Sequence, residues 1–234
     1  MNKRIAFLLS GQFRNFSDNI SSVKNNFFQF KNVDFFISTW EDPGTFDKLK
    51  IFKLFSKKNG LPLNFLNQFI PIQNLPGHIR ISKDNIYYTK KINKITPLFL
   101  ETLPIKFKNF NIRNFKEEYH LRLDNNFIPQ SLKEAEPIYY RGFLPQLNRN
   151  SAGLSMILKY EQRNNIKYDY IFRSQSEVFF KDNFIEYVLP LLSKYDFLYS
   201  PITIDPRFQV SSKLFFGKRS TVFNFLNAEE EFYY

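Results

Sequence analysis

The chain has 234 residues, no cysteine, two histidines and a formal charge of +11. That length suits one large domain, or a domain with an elaborated insert, and can bury a core without disulfides or a structural metal. The missing cysteine excludes disulfide frameworks, thiolate catalysis and cysteine-based zinc sites, and His78 and His120 are too few for a histidine-rich metal centre. The positive charge attracts any polyanion, whether nucleic acid, anionic lipid or a phosphorylated small molecule, and does not choose among them. Lys and Asn abundance beside 30 Phe is equally what a compositional bias of the genome would leave.

Met1-Asn2-Lys3-Arg4 is a basic start, but the apolar run after it, Ile5 to Leu9, is short. A secretory signal needs roughly 7–15 apolar residues, and a membrane span about 18. A cytoplasmic protein is therefore expected, with peripheral contact to a membrane surface left open.

Lys3 to Leu9 reads as a strand buried on both faces. Phe16, Ile20, Val23, Phe27 and Phe30 then recur at helical spacing, with Ser17 or Asp18 as N-cap of a helix over 15–30. Val33 to Trp40 is a second strand, followed by the acidic loop Glu41-Asp42-Pro43-Gly44. Strand, helix and strand in this order predict a βαβ unit with a right-handed crossover. From about 45 to 135 the pattern is broken by Leu61-Pro62 and by Pro71 to Gly77, and the stretch from Arg80 to Lys116 is basic. It reads as a variable insert of short helices and loops, its cations a solvated face or a hold on an acidic acceptor.

Regularity returns after Pro145. A helix is expected over 150–164, capped by Ser151 and carrying Leu154, Ile157, Leu158 and Glu161. Tyr168 to Arg173 follows as a strand, 185–192 as a helix, Tyr195 to Ser200 as a short strand, Leu214 to Gly217 as another, and a helix starts near Ser220. The alternation predicts an α/β fold with a largely parallel sheet flanked by helices. The chain ends in or just after a helix, where an ordinary α/β domain could continue, so a truncated C-terminus is compatible with the pattern.

In such sheets ligands bind outside the carboxyl ends of the strands. Three polar groupings fall there. In Ser10-Gly11-Gln12-Phe13-Arg14, the glycine permits close backbone approach, Gln12 offers amide donors and acceptors, and Arg14 can fork onto phosphate. The helix after it would point its N-terminus at the same place, favouring an anion. In Arg173-Ser174-Gln175-Ser176-Glu177, the arginine suits a diphosphate and Glu177 a divalent cation or a sugar hydroxyl, unless the two simply pair with each other. In the third, Asp205 could act as a general base and Arg207 or Lys213 as a phosphate partner, although Asp205-Pro206 is also an ordinary turn start. Walker, dinucleotide-binding, nucleophile-elbow and H-E-x-x-H motifs are absent.

The segments "IAFLLSGQFRNF" and "VDFFISTW" resemble the opening of a family of bacterial and viral glycosyltransferases linked to capsule, lipopolysaccharide or related surface glycans. Members begin with a strand and S-G-Q-x-R, then a strand ending in a His/Ser-Thr-Trp element. "SAGLSMILKYEQRNNIKYDYIFRSQSEVFF" resembles the family's helix followed by Y-D-x-x-x-R-x-R-x-D, and "SSKLFFGKRSTV" its D-x-F-x-x-G element. The likeness covers both ends of the chain and not the insert. Where the pattern has a second arginine and an aspartate this chain has Gln175 and Glu177, and Ser212 stands for the aspartate before F-x-x-G.

The resemblance implies a GT-A-like, Rossmann-like domain and transfer of a sugar from a nucleotide-sugar donor to a glycan or lipid-linked acceptor. It places Ser10, Gly11, Gln12, Arg14, Arg173 and Lys213 at the nucleotide-sugar, Glu177 at a Mn²⁺ or Mg²⁺ ion, and Glu177 or Asp205 as the base. The substituted acidic positions leave open a non-catalytic relative that binds a nucleotide or glycan. A basic nucleic-acid-binding protein is the remaining alternative; the dispersed cations and lack of a reading motif give no reason to expect a stable nucleic-acid partner.

Overall fold

The computed structural model describes residues 3–13, 16–42, 94–115, 137–176, 178–200 and 214–231. All lie in one compact unit formed by Met1–Pro43 and Asn93–Tyr234. The segment 44–92, the larger part of the expected insert, lies outside the described residues.

The elements in chain order are β1 (Ile5–Ser10), α1 (Phe16–Phe27), β2 (Val33–Trp40), α2 (Pro97–Glu101), β3 (Phe107–Arg113), α3 (Pro137–Asn164), β4 (Tyr170–Ser174), α4 (Phe184–Lys194), β5 (Leu214–Lys218) and α5 (Arg219–Glu231). The strands form one sheet in the order β3-β2-β1-β4-β5. β3, β2, β1 and β4 run parallel, and β5 pairs antiparallel with β4. The fold is α/β with a mostly parallel sheet. From β1 the chain moves outward through β2 and β3, then returns to the other side of β1 as β4. That reversal makes the carboxyl ends of β1 and β4 a topological switch point, where an open sheet leaves a crevice.

Alternation along the strands divides the core into two chemically different faces. Ala6, Leu8, Phe36, Ile171 and Phe215 meet Leu154 and Ile157 of α3 and Val222, Phe223 and Leu226 of α5. The intervening positions are rich in phenylalanine. Phe7 lies 4.6 Å from Phe27 of α1, Phe27 5.4 Å from Phe172, and Phe172 stacks at 5.0 Å on Phe216. Phe180 and Phe184 close this cluster beneath α4. The Phe abundance therefore has a structural use, since edge-to-face and stacked ring pairs fill much of the second face. Polar side chains of α1 complete that layer. Asn183 gives α4 no side-chain cap, and Asn26 instead accepts from the Phe184 amide at 2.8 Å.

α3 approaches the sheet most closely at Gly153, where an added Cβ would stand 2.6 and 2.7 Å from the Leu8 methyls. Alanine there gains about 1 kcal/mol of helix propensity, but overpacking a core costs about 1–3 kcal/mol. Gly153→Ala is therefore expected to lower stability by about 1 kcal/mol, read from the urea midpoint at unchanged m-value.

The amino end of the sheet is closed by polar contacts. Glu161 of α3 takes both arms of Arg219 at 2.8 Å and the Tyr168 amide at 2.9 Å. The Tyr168 hydroxyl donates to Asp34 at 2.7 Å. Burial, then the bond to Asp34, holds the phenol well above its ordinary range. A raised folded pKa stabilises fully below the unfolded value of about 10 and is lost as pH rises above it. Tyr168→Phe is thus expected to flatten the fall in unfolding free energy between about pH 9 and 11, measured by urea titration beside the parent.

Several boundaries differ from expectation. α1 starts at Phe16, so Ser17 and Asp18 fall inside its first turn rather than capping it. α3 begins at Pro137 and runs through Pro145, which places Ser151 in its interior. A mid-helix proline costs about 3 kcal/mol, which the packing of α3 on β1, β2 and β3 offsets. Tyr195 to Ser200 contributes only the bridge Tyr199–Phe216. The stretch 94–115, expected to be irregular, carries α2 and the edge strand β3. Among the described residues no helix is long and apolar enough to cross a membrane.

Candidate functional site

At the carboxyl edge the α3-side core turns from apolar to polar. The parity that points Ala6 and Leu8 at α3 also points Ser10 there, and the parity of Ile171 carries Arg173 to the same side. The Arg173 Nε donates to the Ser10 hydroxyl at 2.6 Å, and one terminal nitrogen reaches the Ser10 carbonyl at 3.4 Å. The Ser10 hydroxyl in turn donates to Asn150 Oδ1 at 2.6 Å. The guanidinium lies 5.4 Å from the Phe215 ring, and Arg173 is 0% exposed. A charge buried to that degree persists only when hydrogen-bonded.

A second buried arginine, Arg149, donates to Asn111 of β3 at 2.9 Å and lies 6.0 Å from the Trp40 ring. Between the two, the buried Ser38 hydroxyl has no hydrogen-bond partner among the described residues. Side chains of α3 thus reach β1 and β3 at the carboxyl edge, and Arg173 brings β4 into the same network.

The loops above are stitched to one another. Gly11 adopts φ +107°, which favours glycine, and its amide donates to Ser38 O at 3.0 Å. Thr39 donates to the Gly11 carbonyl at 2.7 Å. Ser176 donates to the Gln12 carbonyl at 2.6 Å, and Asn19 to the Ser176 carbonyl at 2.9 Å. Gln175 donates to Gln146 of α3 at 3.3 Å. The β1 loop and the β4 loop form two facing rims, with α1 starting just beyond the first. A recess of about 540 Å³ opens beside them at the ends of β2 and β3, lined by Glu41, Lys94, Ile95, Phe110 and Arg113. Its Lys94–Glu41 ion pair spans 3.2 Å.

Of the expected site residues, Ser10, Gly11, Gln12 and Arg173 come together here. Arg14, Glu177, Asp205, Ser212 and Lys213 lie outside the described residues. The Arg173 fork, read as a diphosphate ligand, grips the Ser10 hydroxyl and carbonyl from below. Gln146, Arg149 and Asn150 were not anticipated. Gln146, Asn150 and Leu154 follow one another at i, i+4, so extending the stripe of α3 back from Leu154 to the residue after Pro145 would have found Gln146 and Asn150. Among the described residues no three acidic or histidine side chains converge as a metal site. No family model, curated protein or solved structure matches the chain.

Proposed function

We propose that the protein is a glycosyltransferase-like enzyme that holds a nucleotide-sugar over the Gly11–Phe13 and Gln175–Ser176 rims. The observation that carries this reading is the Ser10–Arg173 bond, 2.6 Å long between residues 163 positions apart in sequence. It joins two of the segments on which the glycosyltransferase resemblance rests. A third, around Leu214 to Gly217, lies on the next strand, since β1, β4 and β5 are neighbours. The parallel order and switch point are those of sheets that bind nucleotides, and the N-terminus of α1 beside the first rim favours a diphosphate.

In the reaction an acceptor hydroxyl attacks the anomeric carbon, the bond from that carbon to the diphosphate oxygen breaks, and the hydroxyl proton passes to a carboxylate. Arg14 and Lys213 supply charge to the leaving diphosphate, with Glu177 or Asp205 as the base. A cation held by Glu177 and diphosphate oxygens would add Lewis-acid stabilisation when bound. Ser10, Gly11 and Arg173 keep the rim in place and present backbone groups to the donor. The recess at β2 and β3 has a volume within the usual range for a small-molecule site and suits the acceptor.

Incubation with a panel of nucleotide sugars, with Mn²⁺ and with chelator, tests the reading through release of nucleoside diphosphate. Release or transfer with at least one donor is expected; neither binding nor release across the panel overturns it. The second reading, binding without turnover, is favoured by Gln175, whose amide is engaged by Gln146 where the family pattern carries an arginine. Saturable binding without release, unchanged in Ser212→Asp, selects it.

A further inference from the structure

We infer that Gln146 of α3 is a positioning residue that sets the spacing between the two rims of the crevice. The inference rests on the nucleotide-sugar reading only for the identity of the ligand. Beside the direct Ser176–Gln12 bond, Gln146 is a side chain of α3 that meets both rims. Its amide oxygen occupies the space that a Cβ on Gly11 would need, so the sharp turn of the first rim is seated directly against it. The same oxygen accepts from Gln175 of the second rim at 3.3 Å. Its amide nitrogen points the other way, to Asn150 Oδ1 at 3.3 Å and the Ser10 hydroxyl at 3.5 Å.

The lengths are informative. The centre of the network is tight, with two contacts of 2.6 Å at Ser10. Every contact made by Gln146 lies beyond the ordinary range of about 2.7–3.2 Å. Gln146 is thus the adjustable member, mounted on a helix that is itself fixed by Arg149 to Asn111 and by Glu161 to Arg219. Its position also makes it a probe of ligand charge. A carboxylate of the same shape would keep the acceptor for Gln175, lose both donations, and set a negative charge against the rim.

The test compares Gln146→Met and Gln146→Glu with the parent, and uses UDP and GDP as probes. Without nucleotide, Gln146→Met should speed amide exchange about tenfold at Gly11, Gln12, Gln175 and Ser176, leaving Ala6 to Leu8 unchanged. Calorimetry should then show nucleotide affinity about tenfold weaker in Gln146→Met and about a hundredfold weaker in Gln146→Glu. The gap between the variants should narrow as pH falls through the carboxylate range, since protonation removes the added charge. Unchanged exchange at the rims overturns the inference, as does faster exchange with parental affinity, which makes Gln146 merely structural. Equal affinities in the two variants at neutral pH contradict an anionic ligand. If the parent binds neither nucleotide the functional reading fails, and the exchange comparison still decides the role of Gln146. Should Gln146→Met not fold, the shorter Gln146→Asn serves the same comparison.

Discussion

Arg173→Ala is expected to lower stability by about 3–5 kcal/mol and to abolish nucleotide binding. The side chain is fully buried and donates to Ser10 through both Nε and a terminal nitrogen. A hydrogen bond to a charged group contributes about 1.5–3 kcal/mol, and deleting a large buried side chain costs about 2–5 kcal/mol. The two overlap, so the sum is an upper bound. Functional loss has a separate origin. With Arg173 gone, Ser10 loses the donor that fixes it, and the turn at Gly11 sits directly on Ser10. Arg173→Lys keeps the charge and loses the fork, so it should recover part of the stability and little of the binding. Urea unfolding gives the first quantity, and calorimetry on the folded variant the second.

Glu161→Ala is expected to cost about 2–3 kcal/mol and to leave nucleotide affinity within about twofold of the parent. Glu161 is buried, holds Arg219 at two points and accepts the Tyr168 amide. Removing Glu161 leaves Arg219 without its carboxylate, and because the guanidinium is partly exposed, water offsets some of the cost of breaking a buried pair. The Arg219 guanidinium, 4.6 Å from the Phe223 ring, would remain among apolar groups. The pair closes the amino end of the sheet, away from the crevice, so stability falls without loss of the site. Glu161→Gln keeps an acceptor for Tyr168 and should cost less. The buried Arg173 and the partly exposed Arg219 thus separate by readout: Arg173 couples fold to function, and Arg219 serves the fold.

What could be read in advance follows from how each element is buried. β2 keeps its expected bounds because Phe35, Phe36, Ile37 and Trp40 form an apolar run buried on both faces. β3 was hidden because it is an edge strand, only half-buried along its length, and Lys108, Asn109 and Asn111 break its pattern. Its pairing with β2 supplies a backbone ladder that no local residue announces. The first half of α3 was missed for a different reason. Pro145 reads locally as a breaker, and only tertiary packing overrides it. With that half went Gln146 and Arg149, and the role of Asn150. Ser10, Gly11, Gln12 and Arg173 were legible because strand ends in a parallel sheet are marked by polarity. That Arg173 turns inward was not, since its partner Ser10 is set by strand order.

The most direct measurement is amide hydrogen exchange of the full chain with and without saturating UDP or GDP. A nucleotide crevice at the β1–β4 switch point predicts saturable protection centred on Gly11 to Phe13 and on Gln175 and Ser176, with the Glu161–Arg219 end unaffected. Absence of protection by either nucleotide, or protection confined to residues away from these rims, would contradict it.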